Sequence, residues 1–215
     1  MNGNDFENKF WIFYLELEQD FLQIEKTIPY DVINKNTFSY KYMGLLLSIC
    51  SEIDFIFKKF IDFKDDSHEK NNIIDYERFI ERYYPNFKNS EITGYKYRFA
   101  DLKLKPFKNW DSGNSPKWWQ VYNKIKHNRI IIKDEEHEWY LYANQNNVLK
   151  ALGALFILDM YFYREFVYNS DDGCKVPLPQ SEIFNLENWG NYRSKLISNM
   201  HYLDLEEFML YYNFH

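Results

Sequence analysis

Glycine and cysteine are both scarce in this sequence. The 215 residues include seven glycines, no two of them adjacent. Walker-type and dinucleotide-binding loops need closely spaced glycines to bring the backbone against a phosphate, so the sequence argues against both kinds of site. The two cysteines are Cys50, in an apolar stretch, and Cys174, in a loop-like one. Two distant cysteines make a poor disulfide framework, which favours a reducing, cytoplasmic setting.

Metal-binding motifs and long hydrophobic runs are missing as well. The five histidines are scattered, and the sequence holds neither an H-E-x-x-H motif nor a Cys/His cluster. We therefore expect no metal and no cofactor. The most apolar run, Ala151 to Leu158, is eight residues long, whereas a membrane-spanning helix needs about 20. The first residues also lack the basic start and apolar core of a secretory signal, so we expect a cytoplasmic protein that does not contact a membrane.

Apolar residues recur with the helical period of three to four in several separate segments. Capping residues and prolines mark the ends of these segments. The pattern predicts a mainly α protein, a four- to six-helix bundle forming a single domain over residues 1–215. The predicted helices are about 4–26, 38–63, 73–84, 116–128 and 146–167, with a short one at about 203–212.

A different pattern interrupts the helices at residues 92–110. Tyr95, Tyr97 and Phe99 alternate with basic residues, and after Ala100-Asp101 the leucines alternate with lysines. Period-two alternation on both sides of a turn predicts a β-hairpin. Pro106 is expected to end its second strand or keep that strand at an edge. We interpret the hairpin as an insertion in a helical core of about 38–168, followed by a C-terminal extension over 169–215.

Basic residues are concentrated in one part of an acidic chain. The segment from Tyr95 to Lys133 holds ten Lys and Arg against two Asp, a net charge of +8. The whole chain has 26 basic and 32 acidic residues, so the remainder holds 16 against 30, a net charge of −14. Such segregation suggests one face suited to a polyanion. The alternative is a solvated basic hairpin and helix.

Within this basic segment lies the most distinctive motif of the chain. Residues Trp118 to Arg129 follow the pattern W-W-x-x-Y-N-x-x-K-H-x-R, and a long helix then begins A-N-x-x-N-V-L-x-A-L-x-A-L-F. Together these segments resemble the HEPN superfamily (higher eukaryotes and prokaryotes nucleotide-binding domains) over about residues 38–168. The resemblance implies a four-helix bundle whose Arg and His, drawn from two subunits, form a metal-independent endoribonuclease site. It also implies a role in a toxin–antitoxin or phage-defence system.

The resemblance assigns catalytic positions residue by residue. Asn123 matches the family's polar residue and His127 its histidine, whereas Tyr122 occupies the position of the arginine. Tyrosine donates one hydrogen bond but supplies no positive charge. Two explanations stay open: Lys126 or Arg129 supplies the charge, or the chain keeps the fold and has lost cleavage. His127 also has a structural alternative, as a partner of the helix C-terminal dipole.

The neighbouring basic and aromatic residues form the candidate nucleic-acid-binding set. Lysines contact backbone phosphates, and an exposed tryptophan can stack on a base. A tryptophan at the start of a helix is otherwise a core anchor. The set consists of Lys103, Lys105, Lys117, Trp119 and Lys124.

Glu52 is the candidate acid outside the basic segment. It lies beside the apolar stripe of the second predicted helix. One interpretation is that its carboxylate reaches Lys126 or His127 and orients the imidazole. The other is that Glu52 faces solvent, because burying an unpaired carboxylate is costly.

Two functions from different classes are consistent with these residues. The first is a HEPN-like RNA- or nucleotide-interacting protein, acting as a metal-independent endoribonuclease in a toxin or phage-defence system. The second is a catalytically inactive HEPN-like binding or scaffold protein that acts through protein–protein interaction. The expected partners are RNA or a nucleotide, a second copy of the chain, and an antitoxin or other defence-system protein.

Overall fold

The computed structural model describes residues 2–95, 97–129, 138–167, 176–187 and 189. The protein is mainly helical, as the sequence predicts, and it has a small three-stranded antiparallel sheet. No helix in these residues is both long and apolar enough to cross a bilayer. The helices are α1 (Gly3–Phe6), which continues through a π-helical turn (Glu7–Trp11) into α2 (Ile12–Glu25), then α3 (Tyr40–Lys64), α4 (Ile73–Tyr83), α5 (Lys117–Asn128) and α6 (Gln145–Val167). The strands are β1 (Ile92–Gly94), β2 (Lys103–Leu104) and β3 (Phe184–Leu186). The short helix predicted at 203–212 lies outside the described residues.

Local capping explains where the helices begin. The Asn2 side chain accepts a hydrogen bond from the backbone N–H of Asp5 at 2.9 Å and caps α1, which begins at Gly3, one residue before the predicted start. Ser39 caps α3 in the same way. Helix α5 has Pro116 at its N-cap position and starts without a side-chain cap.

Four helices pack around one aromatic core. Helices α3 and α6 contact each other most extensively, and α2 and α5 pack against both. The N-terminal ends of α3 and α6 lie together, where the Gln145 N–H donates to the Thr37 carbonyl at 3.2 Å. Their C-terminal ends are joined by Lys64 and Glu165 at 2.7 Å. Helices α3 and α6 therefore run in the same direction, an arrangement that requires a long connection between them.

The sheet lies beside this bundle and has the strand order β2-β1-β3. Strands β1 and β2 pair antiparallel with Ile92 opposite Leu104, inside the region predicted as a hairpin. On its other side, β1 pairs antiparallel with β3, placing Ile92 opposite Leu186. Strand β2 is an edge strand that ends two residues before Pro106, as expected from the missing N–H of proline.

The long alternating strands predicted for the hairpin are wrong. Residues Tyr97–Phe99 form a 3₁₀ turn instead of continuing β1. The Phe99 side chain is buried in the core, which pulls the chain back over β1. A Cβ on Gly94 would meet the carbonyl group of Phe99, so glycine is what permits this close approach. Burial of aromatic side chains has here overridden the local alternation.

Candidate nucleic-acid interface

Helix α5 separates an apolar face from a polar one. Its buried face consists of Trp118, Trp119, Val121, Tyr122 and Ile125. Asn123 and His127 lie one turn apart on the opposite face, with Lys124 beside them. His127 and Lys124 are exposed, and Asn123 is half-buried. The predicted catalytic histidine and its polar neighbour therefore share the solvent-facing side of α5.

Tyr122, at the position of the family's arginine, is a packing residue. Its side chain is 4% exposed and lies 5.1 Å from the ring of Trp119, measured between centroids. The Lys126 ammonium lies 5.3 Å from the centroid of the Tyr122 ring, within the range of a cation–π contact. Lys126, one turn farther along the helix, therefore places a positive charge over the Tyr122 ring.

Arg129, the other candidate cation, immediately follows α5. It is the C-cap residue of the helix, and its side chain is exposed. A cation in this position interacts favourably with the negative end of the helix dipole. Arg129 and Lys126 thus both lie near His127 along the chain.

A second group of basic residues lines a groove of about 720 Å³, here called the lysine groove. Strand β2, the turn after it, and the first turns of α5 and α6 all contribute to it. Five ammonium groups face one carboxylate among the described lining residues. They are Lys103, Lys105, Lys108, Lys117 and Lys150, with Glu91 as the acid.

Two of the five lysines have close partners. Lys105 forms an ion pair with Glu91 at 3.1 Å. The Lys117 ammonium lies 4.9 Å from the centroid of the Trp139 ring. The pair with Glu91 is partly exposed, and solvent screens it. Both lysines line the groove and are exposed to solvent.

The groove is shaped by a link between α5 and the turn after β2. The indole N–H of Trp118 donates to the carbonyl of Pro106 at 3.0 Å, and both residues are buried. Asn109 adopts a left-handed backbone conformation with φ of 66°, which asparagine tolerates better than most residues. In this turn the backbone N–H of Lys108 donates to the Lys105 carbonyl at 3.0 Å, and both lysines line the groove together with Lys103.

The structure divides the predicted site into two parts. Lys103, Lys105 and Lys117 come together in the lysine groove. Lys124 and three of the candidate catalytic residues lie farther along α5, and Arg129 follows its last turn. Lys117 and His127 are ten residues apart, which corresponds to about 15 Å at 1.5 Å per residue. Sequence reasoning left Lys150 out of the site. Its spacing of four from Asn146, another lining residue, was the signal that α6 has a polar strip at its start.

Trp119 belongs to the core. Its side chain is 4% exposed, and its ring lies 5.9 Å from that of Trp118, measured between centroids. A ring buried in this way offers no open face for a base to stack on. The core-anchor interpretation therefore describes Trp119, and it is left out of the interface.

Glu52 interacts electrostatically with another carboxyl group, that of Asp159. Burial raises the pKa of Glu52 to about 7. Burial, and then the nearby charge of Glu52, raise the pKa of Asp159 on α6 well above its usual range. Among the described residues, no hydrogen bond or ion pair joins Glu52 to Lys126 or His127. The predicted orienting contact is thus not made within one copy of the chain.

Comparisons with known protein families, with curated proteins and with solved structures gave no match to this chain. Within the described ranges, no three His, Cys, Asp or Glu side chains are grouped so that they could hold a metal ion.

Proposed function

We propose that this protein is a HEPN-like RNA-binding protein that holds backbone phosphates in the lysine groove. The observation that carries the proposal is the convergence of five lysines from four separate elements on one cavity. Lysines exposed for solubility alone would be spread among acidic residues. Here the groove concentrates positive charge on a chain whose net charge is −6.

The physical basis is electrostatic. Each phosphate that contacts a lysine releases condensed counterions, so binding weakens as the salt concentration rises. The acidic remainder of the surface repels a polyanion and directs it toward the groove. The charges alone do not select RNA over DNA; the HEPN resemblance supports RNA.

Charge reversal in the groove tests the proposal. We expect the triple variant Lys103→Glu, Lys108→Glu, Lys150→Glu to abolish binding of a fluorescent single-stranded RNA at low salt, measured by fluorescence anisotropy. Replacement of the same three lysines by glutamine should make the plot of log K against the logarithm of the salt concentration less steep, by about 2 in slope. Each lost phosphate contact removes about 0.7 from that slope for single strands.

A matched control keeps the same change in net charge. Lys9, Lys35 and Lys41 are exposed residues outside the groove, and their reversal to glutamate should leave most of the affinity. If the two charge-reversed triple variants lost the same amount of RNA affinity, overall charge and not the groove would govern binding. No binding by the parent protein at any ionic strength would reject the proposal.

A second candidate function is metal-independent RNA cleavage at the C-terminal half of α5. The observation that favours it is the exposed His127 with Asn123 one turn before it, beside the Lys126 charge over Tyr122. In this proposal a second copy of the chain completes the site across a two-fold axis. One neutral His127 accepts the proton of the 2′-hydroxyl as its oxygen attacks the adjacent phosphorus. The protonated His127 of the other copy donates a proton to the departing 5′-oxygen, leaving a 2′,3′-cyclic phosphate and a 5′-hydroxyl.

Cleavage assays separate this candidate from binding alone. His127→Ala should lower the cleavage rate by roughly 10²-fold, as expected for loss of a general acid or base, with the melting temperature unchanged. EDTA should have no effect. His68→Ala is the control, since that histidine lies after α3 and contacts the Asp75 carbonyl. Persistent cleavage by the His127 variant would contradict the assignment.

If the parent protein binds RNA without cleaving it, the catalytically inactive binding protein is the better account. The HEPN resemblance then supports a scaffold in a toxin or phage-defence system, with an antitoxin or other defence protein as partner. Light scattering of the purified chain tests the proposed homodimer, on which only the cleavage proposal depends.

A further inference from the structure

A second cavity of about 480 Å³ adjoins the lysine groove; we call it the Arg164 pocket. It lies between the end of α6, the segment before β1 and the segment after β3. Glu91 and Lys105 line both cavities, so the pocket and the groove meet at their ion pair. A chain-like ligand in the groove can therefore extend into the pocket without leaving the surface.

The guanidinium of Arg164 is held by aromatic rings. It lies 4.8 Å from the centroid of the Tyr161 ring and 4.5 Å from that of Trp189. Arg82 and Arg98 each face a carboxylate, whereas Arg164 has no ion pair or hydrogen bond to any described residue. The ring contacts fix the plane of the guanidinium and leave the N–H groups at its edge available for a ligand.

The rest of the lining supplies both acceptors and donors. Glu187 accepts a hydrogen bond from the Thr93 hydroxyl at 2.8 Å, and the remaining lone pairs of its carboxylate stay available. The amide side chains of Asn86 and Asn89 are exposed at the rim. Arg164 and Lys105 balance Glu91 and Glu187 in charge. A lining of this kind suits a neutral group with donors and acceptors of its own, in contrast to the strongly positive groove.

We infer that the Arg164 pocket binds a guanine base of the RNA whose phosphates lie in the lysine groove. An arginine fork donates two hydrogen bonds to O6 and N7 of guanine, whereas adenine presents an N6 donor at the corresponding edge. A carboxylate such as that of Glu187 accepts from the N1–H and N2–H groups on the adjacent Watson–Crick edge of guanine. The inference rests on the proposed RNA-binding function and adds base selectivity to it.

Single-base substitution in a short RNA tests the inference. The probes are fluorescein-labelled nine-nucleotide oligouridines with a central G, A or C, together with the all-U sequence. We expect the G probe to bind about tenfold more tightly than the A probe, the discrimination typical of one bidentate arginine–guanine pair. Arg164→Lys keeps the charge but removes the fork and should bring the two affinities within about twofold.

Two further variants keep the test independent of folding. Glu187→Gln changes an exposed side chain and should also reduce the preference for G, with the all-U affinity retained. Arg78→Lys, at an exposed arginine beside Asp75, is the matched control and should keep the preference. Melting curves of all variants check that the fold is intact.

The outcomes distinguish this inference from the proposed function. Equal affinity of the parent protein for the four probes would overturn the guanine pocket and leave the lysine groove standing. A G preference that survives in both Arg164→Lys and Glu187→Gln would also overturn it. Failure of the parent protein to bind any probe would overturn the RNA-binding function and this inference with it.

Discussion

Glu18 is a buried carboxylate on α2 that holds the chain segment leading into β3. It accepts hydrogen bonds from the Tyr14 hydroxyl at 2.7 Å and from the backbone N–H of Glu182 at 2.8 Å and of Ile183 at 3.2 Å. The Ser181 hydroxyl also donates to it. Buried charges persist in proteins when their hydrogen-bonding capacity is filled in this way. Glu18 therefore couples the helical bundle to the sheet.

We predict that Glu18→Ala lowers the free energy of unfolding by about 3 kcal/mol or more. The substitution removes the carboxylate that four donors share, and a buried donor left without an acceptor costs about 1–3 kcal/mol. Urea denaturation measures the change, and Glu16→Ala, at an exposed position on the same helix, is the control. A loss below about 1 kcal/mol for Glu18→Ala, similar to that of the control, would contradict the proposed coupling.

The burial of Tyr122 determines what we expect from replacing it by arginine. Tyr122→Arg introduces the arginine of the HEPN pattern that the sequence resembles, but it places a guanidinium where the side chain is 4% exposed. We predict destabilisation of roughly 2 kcal/mol or more, with no gain of ribonuclease activity. Tyr122→Phe, which keeps the ring under Lys126, should stay within about 0.5 kcal/mol of the parent. A stable, newly active Tyr122→Arg protein would instead show that the missing cation was the sole defect.

At the scale of secondary-structure elements, the helices were predicted well because the sequence features that indicate a helix are local. The sequence predicted 146–167 for α6, and the structure has Gln145–Val167. Pro116 and the four-residue spacing of Trp118 and Tyr122 placed α5 in the same way. Periodicity and caps act within a few residues, so the sequence contains this information directly.

The strands and turns of the sheet were predicted less well, because they depend on contacts between residues that are far apart in the sequence. Strand β3 pairs with β1 from about 90 residues farther along the chain, and nothing in its sequence predicted the pairing. The turn at Tyr97–Phe99 formed because Phe99 is buried by distant parts of the fold. The candidate site shows the same limit, since Lys103 and Lys117 were found from the basic segment, whereas Lys150 joins them only through the packing of α6.

At the scale of the whole molecule, a fully buried carboxyl group and a half-buried one make stability depend on pH. Asp159 on α6 is fully buried, and neither of its oxygens has a hydrogen-bond partner among the described residues. The groups that influence each other electrostatically across the helices are Asp159, Glu52 on α3 and Tyr14 on α2. The structure favours the protonated form of both acids, since burial penalises the charged form.

The sign of the effect follows from proton linkage. The pKa values of Glu52 and Asp159 are raised in the folded protein, whereas both ionise near pH 4 in an unfolded chain. Between about pH 4 and pH 7 the folded state therefore binds more protons than the unfolded state. Because of this difference, the contribution of the pair to stability is greatest at low pH and declines as the pH rises through 7. Asp62 and Asp65, whose pKa values are lowered by their partners, act oppositely and at more acidic pH.

We predict that Asp159→Asn flattens the fall in stability between about pH 5 and pH 8. In the variant, residue 159 no longer takes up a proton on folding. One such proton changes the free energy of unfolding by up to about 1.4 kcal/mol for each pH unit over which it is bound in the folded state only. The gain in the free energy of unfolding should therefore be larger at about pH 8 than at about pH 5. Glu52→Gln should act in the same direction up to about pH 7, where its raised pKa lies. Asp20→Asn, at an exposed position, is the control and should not alter the slope. Urea denaturation across the pH range gives the slopes directly, and an unchanged slope in Asp159→Asn would show that Asp159 takes up no additional proton on folding.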